Sequence, residues 1–213
     1  MANAAKTLRL LGAMGKTMHG NVVLNFTTYP KGDLQVYAVA YQEAGNRLVA
    51  AVRHERAYSD ADACPIAFMY RHAAELYLKA ILVWGKGIVA LEGHKRFEDE
   101  DFLGEHSLRE LLPLVKRVFG AVGWLADRGD APKYGTFAEI EKALLELDRI
   151  DPKSFAFRYP MNKRGRASLP KRFHFNVLAF GAEMDALLRM LDGAATGVYE
   201  YFQNLASVRH GAP

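Results

Sequence analysis

One cysteine, Cys64, stands in 213 residues. No intramolecular disulfide can form, and no cysteine-based zinc or iron–sulfur site can be built. So little cysteine fits a reducing compartment, and a cytoplasmic location is expected. Clean apolar runs are also missing. The longest apolar stretch, Ile66 to Leu91, is broken by Arg71, His72, Glu75, Lys79 and Lys86. A membrane span needs about 20 apolar residues, so no membrane partner is expected. The patch Leu10 to Met14 is cut off by Lys16, too short for the apolar region of a signal peptide. Strand–helix alternation is absent, which argues against an α/β sheet. There is no internal repeat. The histidines are His19, His54, His72, His94, His106, His174 and His210, and no two are spaced H-x-x-x-H. Neither a metal site nor a cofactor is expected.

A phosphate loop is missing too, despite a first likeness. Gly12-Ala-Met-Gly15-Lys16-Thr17 ends like one, but the position five before Gly15 is Leu10. Without glycine there, the backbone amides cannot wrap a phosphate.

What remains is an ordinary globular composition, 50% apolar and 24% charged. A single domain of this size buries roughly 70% of its unfolded surface, enough for a core without a staple. The net charge is +4, and its placement is uneven. Pro152 to Ala182 holds no acid but carries Lys153, Arg158, Lys163, Arg164, Arg166, Lys171 and Arg172. Glu92 to Glu110 is the opposite pole, with seven acids against Lys95, Arg96 and Arg109. The basic stretch is seeded with Phe155, Phe157, Tyr159, Phe173 and Phe175. Such a segment can track phosphates while its rings stack on unpaired bases. It can equally be a solvated loop whose charges meet the acidic pole.

The pattern of elements is helical. Asn21 to Thr28 is a candidate short strand or ordered arm. Pro30 to Asp33 is a turn, with Asp33 placed as a cap. Apolar residues at helical spacing predict a first helix from Leu34 to about Arg56. Ser59 to Asp62 interrupts it and opens a second helix through Trp84, which Gly85 and Gly87 are expected to stop. Ser107-Leu-Arg-Glu110 and Thr136-Phe-Ala-Glu139 read as capping boxes. They open a third helix ending at Gly120 and a fourth reaching Ile150. A basic loop spans 151–171. A last long helix is expected from Phe173 to Leu191, capped by Gly193, with a shorter one from Val198 to Val208. The expected fold is all-α: a bundle of four to five main helices, a short N-terminal arm, and a basic loop before the last long helix.

The second helix carries the first candidate chemistry. At about 100° per residue, Arg71, Glu75, Lys79 and His72 share one sector of roughly 100° on a helix otherwise apolar nearly all round. Arg71–Glu75 and Glu75–Lys79 are i,i+4 pairs, so the seam can satisfy itself; alternatively it lines a cleft. Glu105-His106-Ser107 sits at a helix start, where the dipole favours bound anions. Phe157-Arg158-Tyr159-Pro160 sets an arginine between two rings, as a site or as an anchor for the loop.

Together, the run Arg71 to Leu82, the run His106 to Leu112 and Phe157-Arg-Tyr-Pro160 resemble a bacterial branch of the HEPN superfamily, over roughly residues 34–192. The resemblance implies an all-α bundle, usually a homodimer, from prokaryotic defence and toxin–antitoxin systems. Many members are metal-independent ribonucleases; others are inactive RNA-binding or scaffolding modules. The family's ribonuclease signature is an arginine, four to six residues, then a histidine. Arg47 and His54 match that spacing, with Leu48 in the place of the family's polar residue. His72 and His106 are further acid–base candidates on the residues alone. Arg71, Arg158, Lys163, Arg164, Arg166, Lys171 and Arg172 are the phosphate-binding candidates, and Glu75 and Lys79 complete the polar seam.

The expectation is one domain over 1–213, with a HEPN-like core at 34–192 and an arm at 1–33. Its function is RNA binding, with metal-independent RNA cleavage as the candidate activity. The alternative is a non-catalytic helical interaction module paired with an antitoxin or a nucleotidyltransferase. A third reading is a small-molecule or nucleotide binder using the polar seam.

Overall fold

A computed structural model of the chain describes residues 29–54, 59–94, 97–126 and 132–210, together with His19 and Val22. The candidate strand at Asn21 to Thr28 falls almost wholly outside these residues, as does the glycine-lysine-threonine motif. The chain divides into two units, Met1–Pro30 and Lys31–Pro213. Among its described residues the second unit contains five α-helices: α1 (Leu34–His54), α2 (Ala63–Leu91), α3 (Leu108–Ala121), α4 (Phe137–Ile150) and α5 (Val177–His210). Among the described residues the only β pairing is one bridge, Met161 to Ala167. The protein is an all-α bundle with an irregular basic segment before its last helix.

α2 is the axis. It packs against α1, α3 and α5, while α1 also meets α5 and α3 meets α4. From Tyr70 to Val83 every α2 residue except His72 is buried, as its continuous apolar pattern requires. Leu78, Ile81 and Leu82 are fully enclosed, each contributing about 1.5–3 kcal/mol of burial. Polar side chains fix the register of α1, α2 and α5. The Tyr77 hydroxyl donates to Gln42 Oε1 at 2.8 Å, and the amide nitrogens of Gln42 and Asn46 donate to Asp185 Oδ1, each at 2.9 Å.

The glycines expected to stop α2 do not stop it. A Cβ on Gly85 would lie 2.4 Å from Val118 Cγ2, and one on Gly87 would lie 2.5 Å from Phe202 Cε2. Both glycines let neighbouring helices approach closely. The helix ends instead at Gly93 (φ +75°), where the Gly93 and His94 amides donate back to Ala90 and Val89. This is the left-handed glycine cap of a helix C-terminus. Gly123 (φ +74°), not Gly120, ends α3 in the same way, with the Gly123 and Trp124 amides donating to Gly120 and Phe119.

α5 likewise runs unbroken through Gly193, so the separate helix at Val198 does not exist. Gly197 makes room for Trp124, whose Cη2 would lie 2.7 Å from a Cβ there. The Thr136–Glu139 capping box is present in full. At Ser107 half of one forms: the side chain accepts from the Glu110 amide.

Candidate functional site

The seam on α2 closes on itself. Arg71, Glu75 and Lys79 are each under 5% exposed. Arg71 Nη1 donates to Glu75 Oε2 at 3.0 Å, and Lys79 Nζ donates to Glu75 Oε1 at 2.8 Å. Unpaired, such charges could not stay buried. Burial pushes the Glu75 carboxyl up, but the hydrogen bond and charge of Lys79, the His106 contact and Arg71 together hold it below its ordinary value.

The two cations also reach outward to other segments. Lys79 Nζ donates to the Leu103 carbonyl at 2.9 Å. Arg71 Nη2 donates to the His106 carbonyl at 2.5 Å, and its Nε donates to the Asp151 carbonyl at 3.1 Å. One buried guanidinium thereby fastens the start of α3 and the end of α4 to α2. Two of the sequence runs singled out on chemical grounds, 71–82 and 106–112, meet here; the third, 157–160, reaches α2 at Phe68, where the Arg158 guanidinium lies over the ring.

His106 is the group this arrangement presents. Its Nδ1 lies 2.9 Å from Glu75 Oε1, while its side chain is 58% exposed. An ionised carboxylate can only accept, so Nδ1 carries the proton and Nε2 faces outward. A histidine oriented by a buried carboxylate is a general acid–base arrangement. The start of α3 is not open to anions, because Glu105 just before it and Asp148 of α4 already fill it. Glu105 Oε1 accepts from the His106 and Ser107 amides, both at 2.7 Å, and Asp148 Oδ1 accepts from the Leu108 amide at 2.8 Å. The Ser107 amide, above all, holds the Glu105 carboxyl below its usual range.

Arg158 is set by the turn after α4. Asp151 Oδ1 accepts from the Phe155 and Ala156 amides at 2.6 and 2.8 Å. Its Oδ2, buried and without a hydrogen bond, lies 3.7 Å from Arg71 Nε. Arg158 Nε donates to the Ser154 carbonyl at 2.6 Å, and its guanidinium lies over the Phe68 ring at 5.5 Å. His72 stacks on Phe68 at 5.5 Å and lies edge-on to Tyr41 at 4.4 Å. Burial lowers the His72 pKa, with the Arg71, Lys79 and Arg158 charges adding to the effect against the opposing pull of Glu75.

The basic segment beyond is an ordered turn. The Asn162 amide donates to the Arg166 carbonyl at 2.8 Å, and Asn162 Oδ1 accepts from the Arg164 and Arg166 amides. Gly165 takes the left-handed conformation the turn needs (φ +70°). Lys163, Arg164, Arg166, Lys171 and Arg172 are all exposed. Among the described residues none of the seven cations in this segment forms an ion pair. The acidic pole does not neutralise them. Asp99 pairs with Lys31 and Lys86, and of the seven only Lys153 acts electrostatically on Glu105.

The aromatic residues of the segment mostly anchor it. Phe157 is buried, Phe155 stacks on Tyr159 at 4.6 Å, and Phe173 packs on Phe175 at 5.5 Å. Tyr159 alone is largely exposed, at 49%.

The remaining candidates lie apart. Arg47 and His54 sit exposed on α1, and no hydrogen bond or ion pair links them to Glu75 or His106. Arg71 is completely buried with its donors committed, so its role is internal: it holds the site together and does not reach a ligand's phosphate. Sequence reasoning passed over Asp151 as a helix stop and over Asn162 altogether. The Asn-Lys-Arg-Gly spacing was the available signal for the turn. It also passed over a cavity of about 840 Å³ between α4, α5 and the 170–175 stretch. Among the described residues no group of three or more histidine, cysteine or acidic side chains could hold a metal ion. No helix among them is long and apolar enough to cross a membrane. Comparison of the chain with family models, with curated proteins and with solved structures gave no match.

Proposed function

We propose that this chain binds single-stranded RNA along its 152–176 segment and cleaves it without a metal. The observation that carries the binding is the set of seven cations with no ion-pair partner, three of them (Lys163, Arg164 and Arg166) on a turn stiffened by Asn162. Cations held outward in this way release counterions when they meet a phosphate backbone. The likeness of 71–82, 106–112 and 157–160 to HEPN proteins points the same way, as does the meeting of the first two around Glu75.

Cleavage would use the RNA's own 2′-hydroxyl. His106 Nε2 takes its proton as the oxygen attacks the adjacent phosphorus. The bond to the 5′-oxygen breaks, that oxygen leaves as a hydroxyl after taking a proton from solvent water, and His106 gives up its proton to solvent. The products are a 2′,3′-cyclic phosphate and a 5′-hydroxyl end. Arg158, fixed by the Ser154 carbonyl, supplies positive charge to the phosphorane oxygens.

A labelled single-stranded RNA titrated at several salt concentrations tests the binding. Replacing Lys163, Arg164 and Arg166 with alanine should weaken it and lower the salt slope by about 2, since each cation contributes about 0.7. An absence of binding at low salt would end this reading.

One observation favours a second reading, the non-catalytic interaction module. α1 exposes Val36, Tyr37, Val39 and Leu48, apolar surface suited to a second copy of the chain or to another protein. Light scattering separates the homodimer from a monomer that awaits a different partner.

A further inference from the structure

We infer that the cavity between α4 and α5 seats an unpaired guanine base of single-stranded RNA. This deepens the RNA-binding reading and rests on it. The cavity, about 840 Å³, is walled by Phe157, Phe173, Phe175 and Phe180 over a floor that includes Leu187. That volume falls in the range of small-ligand pockets, roughly 300–1,000 Å³. Aromatic walls suit a planar base, and proteins read single-stranded RNA by splaying bases out onto such rings.

The wall that supplies Phe173 and Phe175 also carries Lys171 and Arg172, both exposed and without ion-pair partners. A base directed inward would leave its phosphates beside these cations. No uncharged apolar ligand would have use for them.

The polar groups of the lining select among the bases. Glu183 is already engaged, by Lys133 Nζ and by the Tyr134 hydroxyl at 2.6 Å each. Glu146 lines the same cavity and, among the described residues, has no hydrogen bond or ion pair. Its two oxygens can only accept. Guanine presents two adjacent N–H donors, N1–H and the N2 amino group, on its Watson–Crick edge; adenine, cytosine and uracil present no two adjacent donors there. Arg149, one turn further along α4 in the same lining, offers donors to guanine O6 and N7.

The test compares fluorescein-labelled oligouridine with the same oligomer bearing one central guanosine, by anisotropy at low salt. The guanosine oligomer should bind about tenfold more tightly, the discrimination one bidentate base contact supplies. Glu146→Gln should abolish that preference and leave oligouridine binding unchanged. Ala143→Phe, which fills the cavity from α4, should do the same, its folding checked by circular dichroism. The alanine triple variant of Lys163, Arg164 and Arg166 should weaken both oligomers alike. Equal binding of the two oligomers to the unaltered protein, or a preference that survives Glu146→Gln, overturns the guanine site while RNA binding stands. Binding of neither oligomer overturns both.

Discussion

Nδ1 of His106 lies 2.9 Å from Oε1 of Glu75, so an exposed imidazole is aimed by a carboxylate that is itself 1% exposed. The same oxygen accepts from Lys79 Nζ at 2.8 Å, and its twin accepts from Arg71. Glu75 is therefore both the counter-charge of the core and the orienting group of the surface histidine.

Removing that carboxylate should expose the first role directly. Glu75→Ala leaves Lys79 buried without a counter-charge and Arg71 with only the Asp151 carboxylate, 3.7 Å away, at a cost on the order of 3 kcal/mol. For a chain of this length the melting temperature should fall by about 6–12 °C. A melt within a degree or two of the parent would mean that the seam is solvated.

Acid should weaken the protein in two stages. The pKa of His72 is lowered from 6.5 in the folded protein, chiefly by burial. The unfolded chain then binds that proton more tightly, so stability falls as pH drops from 6.5 through the lowered value. Glu75 is lowered from 4.5 by its cations against the pull of burial. Its contribution is complete above about pH 4.5 and is lost as pH falls through its folded value. His72→Phe keeps the packing against Tyr41 and Phe68 while removing the first stage. Melts at pH 7.5 and 5.5 should differ less for this variant than for the parent; equal differences would contradict the assignment.

Two glycines should respond to alanine in opposite directions. Gly85→Ala drives a Cβ against Val118, with contacts of 2.4 and 2.5 Å to its methyl carbons. Such overpacking costs about 1–3 kcal/mol, and Gly85→Ala combined with Val118→Ala should recover part of it. Gly193 lies inside α5, and a Cβ there would meet nothing within 4 Å. Gly193→Ala should therefore stabilise by about 0.5–1 kcal/mol. Destabilisation there would show a helix end at Gly193, as its sequence context suggests.

The proposed RNA cleavage should persist in EDTA and leave 2′,3′-cyclic phosphate ends. His106→Ala should abolish it with the fold intact, since Nε2 is the outward nitrogen of the Glu75 pair. His54→Ala should leave it unchanged. The converse result, loss only with His54→Ala, would move the chemistry to α1 and to the Arg47–His54 spacing.

Much of the helical content was legible in the sequence because it is local. Apolar spacing marks α1 and α4 almost to their ends, and Thr136 with Glu139 announces the start of α4. These signals act within one or two turns of chain. The i,i+4 pairing of Arg71, Glu75 and Lys79 was equally visible, since a helix alone brings them together.

What Gly85, Gly87 and Gly193 do was not legible. A glycine is a helix stop or a contact point depending on what crosses it, and Val118 and Phe202 cross from distant helices. Only tertiary packing decided that the polar seam is enclosed, because the groups that cover it, at Leu103, His106 and Asp151, come from distant segments of the chain. It also decided that His106, rather than His54, meets a carboxylate. His106 and Glu75 are 31 residues apart, on different segments of chain, and no local pattern couples them. The sequence determined which segments are helical and where positive charge goes unopposed. The packing of α3, α4 and the 151–176 stretch against α2 decided which of those charges are buried and which face solvent.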